Sequence, residues 1–139
     1  MDGLSLQDLS PQSLVREGGK LLLTARPTVW STDPLLSSDR LMVFDLATTG
    51  LVPTYNKPTN VNYLRIMATK GNRAFVNLQG DGILILDIAN PAAPIGTHFL
   101  RTLGYATHLE SFDEDVFVAS GYFGLNHLST LDPPNLSAL

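Results

Sequence analysis

The 139-residue sequence contains no cysteine, which excludes disulfide staples, thiolate nucleophiles and cysteine-ligated metals. It is also poor in positive charge, with nine Lys plus Arg against 13 Asp plus Glu and a formal net charge of -4. Phosphate binding needs clustered cations, and these nine are scattered, so no nucleic-acid partner is expected. No stretch approaches the about 20 apolar residues of a membrane span, so no membrane insertion is expected either. The first residues, Met1-Asp2-Gly3-Leu4-Ser5, lack the basic start and apolar run of a signal peptide. Long stretches with apolar residues at helical spacing are missing as well. That absence sets aside helical repeats such as tetratricopeptide or ankyrin units.

What the sequence does hold is 44% apolar residues, enough for a packed core, arranged as an internal repeat. Leu41-Met-Val-Phe-Asp-Leu-Ala47 matches Ile83-Leu-Ile-Leu-Asp-Ile-Ala89 position by position, an offset of 42 residues from Asp45 to Asp87. The same offset carries Ala74-Phe75-Val76 onto Val116-Phe117-Val118, Tyr63 onto Tyr105, Gly82 onto Gly124, and Asn90-Pro91 onto Asp132-Pro133.

Each unit breaks into short β-branched or aliphatic segments bounded by turn residues. Arg73 to Asn77 and Gly82 to Ile88 are separated by Leu78-Gln-Gly-Asp81, a hairpin signal. The apolar run Ile83 to Leu86 fits a buried helix by periodicity alone, but its length and the Asn90-Pro91 stop favour a strand. Strands are therefore predicted at 12–17, 20–25, 40–46 and 51–56, then at 61–69, 73–78, 82–88 and 94–101. A third set follows at 105–112, 115–120 and 124–130, without a clear fourth strand. Four strands in about 40–45 residues is the size of one propeller blade. The expected fold is all-β, a β-propeller segment of about three four-stranded antiparallel blades on a 42-residue repeat. The boundaries are a lead-in at 1–11, blade 1 at 12–58 with a long loop at 26–40, and blade 2 at 59–103. Blade 3 occupies 104–132, and a tail 133–139.

The string Gly82-Ile-Leu-Ile-Leu-Asp-Ile-Ala-Asn-Pro-Ala-Ala-Pro94, preceded by Gly71-Asn-Arg-Ala-Phe-Val-Asn77, resembles the repeat of the LVIVD-type β-propeller family. The resemblance spans roughly residues 14–133 and is sharpest in the middle unit. Thr48-Thr49-Gly50 stands where the first unit's Pro turn belongs, and Ser129 where the third unit's Asp belongs. The resemblance implies a non-enzymatic binding or structural module, part of a larger surface-associated or secreted protein or of a multi-chain assembly. Its alternative is a fragment or protomer of a propeller hydrolase or lyase acting on sugars or lactones. Extracellular or cell-surface placement rests on the resemblance alone.

Propellers close with about 4–8 blades, so three blades should not close alone. The expected partners are further blades, from the same protein or from other copies. Both outer faces of the row are expected to be aliphatic and left uncovered by the chain itself, with an open edge after Leu131, and so to pack against other protein. Phe75, Val76, Ile83, Ile85, Phe117 and Val118, in the middle strands, are expected to be buried.

By analogy with other propellers, contacts belong on the loops between strands two and three and between blades. The candidate contact residues there are Arg26, Trp30, Asp33, Gln79, Asp81 and Tyr122. The loop from Arg26 to Arg40 is 11 residues longer than its counterpart and carries the sequence's single Trp. Trp30 and Leu35-Leu36 are read first as cover for the blade edge. Asp45 and Asp87 recur in register, so they are expected to accept backbone amides in the turn after their strand, with Pro91 ending the segment. His98, His108 and His127 lack metal-ligand spacing, and Asp113-Glu114-Asp115 reads as a solvated hairpin turn. No nucleophile elbow, phosphate loop or paired-carboxylate motif is present, and no catalytic residue, metal or cofactor is expected.

Overall fold

The computed structural model describes residues 8–28, 31–47, 52–59, 63–78 and 82–129. Two-residue hairpins set the start of each sheet. Glu17 pairs with Lys20 across Gly18-Gly19, Lys70 with Arg73 across Gly71-Asn72, and Phe112 with Asp115 across Asp113-Glu114. The first turn residue has φ 57° at Gly18, 60° at Gly71 and 50° at Asp113. That left-handed geometry matches the right-handed twist of the flanking strands, and Gly and Asp are residues that tolerate it.

The first sheet runs β1 (Leu9–Glu17), β2 (Lys20–Pro27), β3 (Arg40–Asp45) and β4 (Tyr55–Pro58). The second runs β5 (Leu64–Lys70), β6 (Arg73–Leu78), β7 (Gly82–Asp87) and β8 (Ile95–Arg101). The third holds β9 (His108–Phe112), β10 (Asp115–Ala119) and β11 (Leu125–Ser129). Within each sheet every strand pairs antiparallel with its sequence neighbours, giving three meanders of four, four and three strands. The fold is all-β, as the sequence indicates. Among the described residues the helical content is one turn, α1 (Pro34–Ser37), a 3-10 turn at Gly121–Phe123, and 3-10 backbone at Asp8.

Several strand ends differ from the sequence reading. β1 begins three residues early and carries a bulge between Pro11 and Ser13, while β4 lies at 55–58 rather than 51–56. β9 begins at His108, so Tyr105 to Thr107 precede the strand, and Tyr105 is exposed.

Period-2 alternation then decides which residues enter which core. One core joins the first two sheets: Leu22, Leu41 and Val43 meet Leu64, Ile66, Val76, Leu86 and Phe99. The other joins the second and third: Phe75, Ile83, Ile85 and Leu100 meet Leu109, Val116 and Val118. The second sheet is thus buried on both faces, which is why β6 and β7 read as unbroken apolar runs. Hydrogen bonds across the gap reinforce the stacking, from Ile66 N–H to Ser13 Oγ at 3.0 Å and from Thr69 Oγ1 to Glu17 Oε2 at 2.8 Å.

The two ends of the stack are unequal, and here three sequence expectations are corrected. Ala25, Arg40, Met42 and Phe44 point away from the second sheet, yet all four are buried. The first sheet's outer face is therefore covered at its β2–β3 centre, on the strands that the 26–40 loop joins, and α1 contacts β2. Phe117, expected inside, is 37% exposed. It alternates with Val116 and Val118, which face the second sheet, so it lies on the opposite side, where among the described residues the third sheet has no neighbouring sheet. That outer face is also less aliphatic than expected. Phe112 and Leu125 share it with Glu110, Asp115, His108 and His127.

Candidate functional site

The 26–40 loop leaves β2 at Arg26-Pro27 and returns at Asp39-Arg40, so the charged residues at its two ends meet. Arg26 Nε donates to Asp39 Oδ1 at 3.0 Å, and Nη2 to Oδ2 at 3.3 Å. The Asp39 side chain is fully buried, while that of Arg26 is one-third exposed. The arginine also stacks on Tyr63, its Cζ 4.4 Å from the ring centroid. Bonding to Asp39 raises the Arg26 pKa, against the opposing effect of burial.

Asp39 has further partners. Its Oδ2 accepts the Leu64 N–H at 2.8 Å, and its carbonyl accepts the Thr59 N–H at 3.0 Å and the Thr59 hydroxyl at 2.6 Å. Through its carboxylate Asp39 thus ties the long loop to the start of β5, and through its backbone carbonyl it holds the link after β4. Next to it, Arg40 is buried and donates from Nε to Asn56 Oδ1 at 2.8 Å, and desolvation lowers its pKa. Neither Asp39 nor Tyr63 was a candidate from the sequence. The available signal was a charged pair, Asp39-Arg40, opening an otherwise apolar strand.

The other candidate contacts are dispersed. Asp33 is exposed at the start of α1, where its carbonyl accepts the Leu36 and Ser37 amides. Tyr122 is fully exposed on the 3-10 turn of the third sheet. Trp30, Gln79 and Asp81 lie outside the described residues. Arg26 is therefore brought into a cluster, but with Asp39 and Tyr63 rather than with Asp33 or Tyr122.

The repeated aspartates sit at the opposite end of the sheets. Asp45 Oδ1 accepts the Ala47 N–H at 2.9 Å, and Asp87 Oδ1 accepts the Ala89 N–H at 2.8 Å. Each follows the same local pattern, with the next amide reaching back to the β-hairpin turn: Leu46 to Gly19 O and Ile88 to Asn72 O. The carbonyl of Pro91 accepts the Thr54 hydroxyl at 2.8 Å, fastening this turn to the first sheet.

At that same end a cleft of ≈ 410 Å³ opens between the second and third sheets. Phe75 forms its apolar side, and Arg73, Asp87, His98, Ser111 and Asp113 are among its polar walls. Arg73 reaches across the third sheet's hairpin to Glu114 at 3.3 Å. His98 Nδ1 lies 3.1 Å from Thr97 Oγ1. The remaining histidines lie on the third sheet's outer face: His108 beside Glu110 at 3.2 Å, and His127 beside Asp115 at 2.8 Å. His127 also stacks on Phe117 with ring centroids 4.9 Å apart. Among the described residues no group of three or more His, Asp or Glu is placed to hold a metal ion.

Comparison with known proteins returns no matching family model, no matching curated protein and no matching solved structure.

Proposed function

We propose that this chain is a three-blade stretch of β-propeller that works as a non-enzymatic binding or structural module, docking further protein on the outer face of its third sheet. Register supports the repeat. Lys20 opposes Asp45, Arg73 opposes Asp87, and Asp115 opposes Ser129, so the strand-two start meets the strand-three end in all three sheets. The 42-residue offset relates the last two pairs at both positions, and the aspartates of the first two repeat the same turn hydrogen bond.

The observation that carries the docking role is the contrast between the two ends. Met42 and Phe44 on the first sheet's outer side are buried, whereas Phe112, Leu125 and Phe117 on the third sheet's are 69%, 71% and 37% exposed. Beside them β11 is, among the described strands, an edge of its sheet, with one row of backbone groups facing away from β10. Apolar side chains next to an open edge suit a further antiparallel sheet as the partner.

Hydrogen–deuterium exchange across a concentration series tests this reading. Association should slow exchange in β11 and around Phe117 as concentration rises, while β2 and β3 stay unchanged. Exchange at β11 that is fast and independent of concentration would contradict it.

A further inference from the structure

The gap between the second and third sheets is packed with apolar side chains, among them Phe75, Ile85, Leu109, Val116 and Val118. Beyond Phe75 it widens into the ≈ 410 Å³ cleft, within the about 300–1,000 Å³ range of small-molecule sites. The matching end of the first gap is laced shut instead, by Thr69 to Glu17 at 2.8 Å and Lys20 to Asn72 at 3.3 Å.

We propose that this cleft binds a neutral, hydroxyl-rich small molecule of the mono- or disaccharide class. The walls carry balanced charge, with Lys70 and Arg73 against Asp87 and Asp113. An anion entering the cleft meets two carboxylates, and a cation meets an ammonium and a guanidinium. A hydroxyl both donates and accepts, so a ring bearing several of them satisfies carboxylates and cations together. Phe75, almost fully buried, closes the inner end of the cleft.

Two of the polar groups are already held in place: Arg73 by Glu114 and Asp87 by the Ala89 amide. Three others keep unspent capacity. The side chains of Ser111 and Asp113, and Nε2 of His98, have no hydrogen-bond partner among the described residues. Fixed groups that orient a ligand, beside open groups that receive it, make a recognition site.

This site faces inward from the third sheet, away from Phe117, so its test is separate from the docking reading. The experiment is a two-dimensional amide NMR titration of the whole chain with glucose, galactose, N-acetylglucosamine and lactose, with glycine and inorganic phosphate as charged controls. At least one sugar should produce saturable shifts at Thr97, His98 and Ser111 to Asp113, without matching shifts from glycine or phosphate. Asp113→Asn, which the left-handed turn tolerates, should weaken that sugar about tenfold. Ser111→Leu, which fills the cleft, should abolish binding while the β6 and β7 amides stay in place. The proposal is overturned if no sugar shifts these amides saturably, if only glycine or phosphate does, or if neither substitution changes the sugar's affinity.

Discussion

Arg26 and Asp39 clasp each other through two hydrogen bonds, at 3.0 and 3.3 Å, across the mouth of the 26–40 loop. The same carboxylate takes the Leu64 amide, so the clasp holds the loop and also fastens the first sheet to the second. Removing the arginine leaves a buried carboxylate without its cation. Arg26→Ala should therefore destabilise the chain by about 2–3 kcal/mol, below the about 3–5 of a fully buried pair because the arginine is one-third exposed. Arg26→Lys should recover less than half of that loss, since an ammonium cannot repeat the two-point geometry. Urea melts of the three proteins check both values.

The turn aspartates give a second expectation. Asp45→Ala and Asp87→Ala each remove the exposed turn hydrogen bond to the amide two residues on and should cost about 0.5–1.5 kcal/mol apiece. They lie on different sheets, so the double variant should lose close to the sum. A loss well beyond it in denaturant melts would mean that the two turns are coupled.

How far the sequence revealed this fold depends on what each strand packs against. The second sheet was the most legible, because β6 and β7 are buried on both sides and Phe75, Val76, Ile83 and Ile85 are all core residues. Strand positions in the third sheet were nearly as clear, but Phe117 was misplaced. Alternation cannot tell a face with a neighbour from one without, and Val116-Phe117-Val118 aligns with a buried triplet. Asp39 escaped notice because its partners, Arg26, Thr59 and Leu64, are 13, 20 and 25 residues away in the chain. The cleft was missed for a similar reason: its walls come from both sheets, and no local motif joins His98 to Ser111 and Asp113.

Gly82 opens β7 opposite Arg101, and the chain there runs at φ 149°. A Cβ at this position would collide with the Leu100 carbonyl oxygen. Backbone on backbone cannot relax by a rotamer change, so β7 and β8 must separate. Gly82→Ala should lower stability by about 2–4 kcal/mol through strain and a disturbed ladder. A thermal melt within a degree of the parent would show that the strands are not in this contact.

Phe75 and Phe117 occupy equivalent positions on β6 and β10, but one is 1% and the other 37% exposed. Phe75→Ala should cost about 3–5 kcal/mol, the transfer and cavity terms of a core phenylalanine. Phe117→Ala in the dissociated chain should cost about 1 kcal/mol or less, as for other surface positions. Equal losses would place Phe117 in a core.

The central claim is that the third sheet's outer face is made to be covered, and size-exclusion chromatography with light scattering on the isolated chain tests it most directly. At micromolar concentration the mass should exceed the 15.1 kDa of one chain. It should return to that value when Phe117→Asp and Leu125→Lys place charge on the open face. A well-folded species of 15.1 kDa before either substitution, with Phe117 wet and stable, would contradict the account.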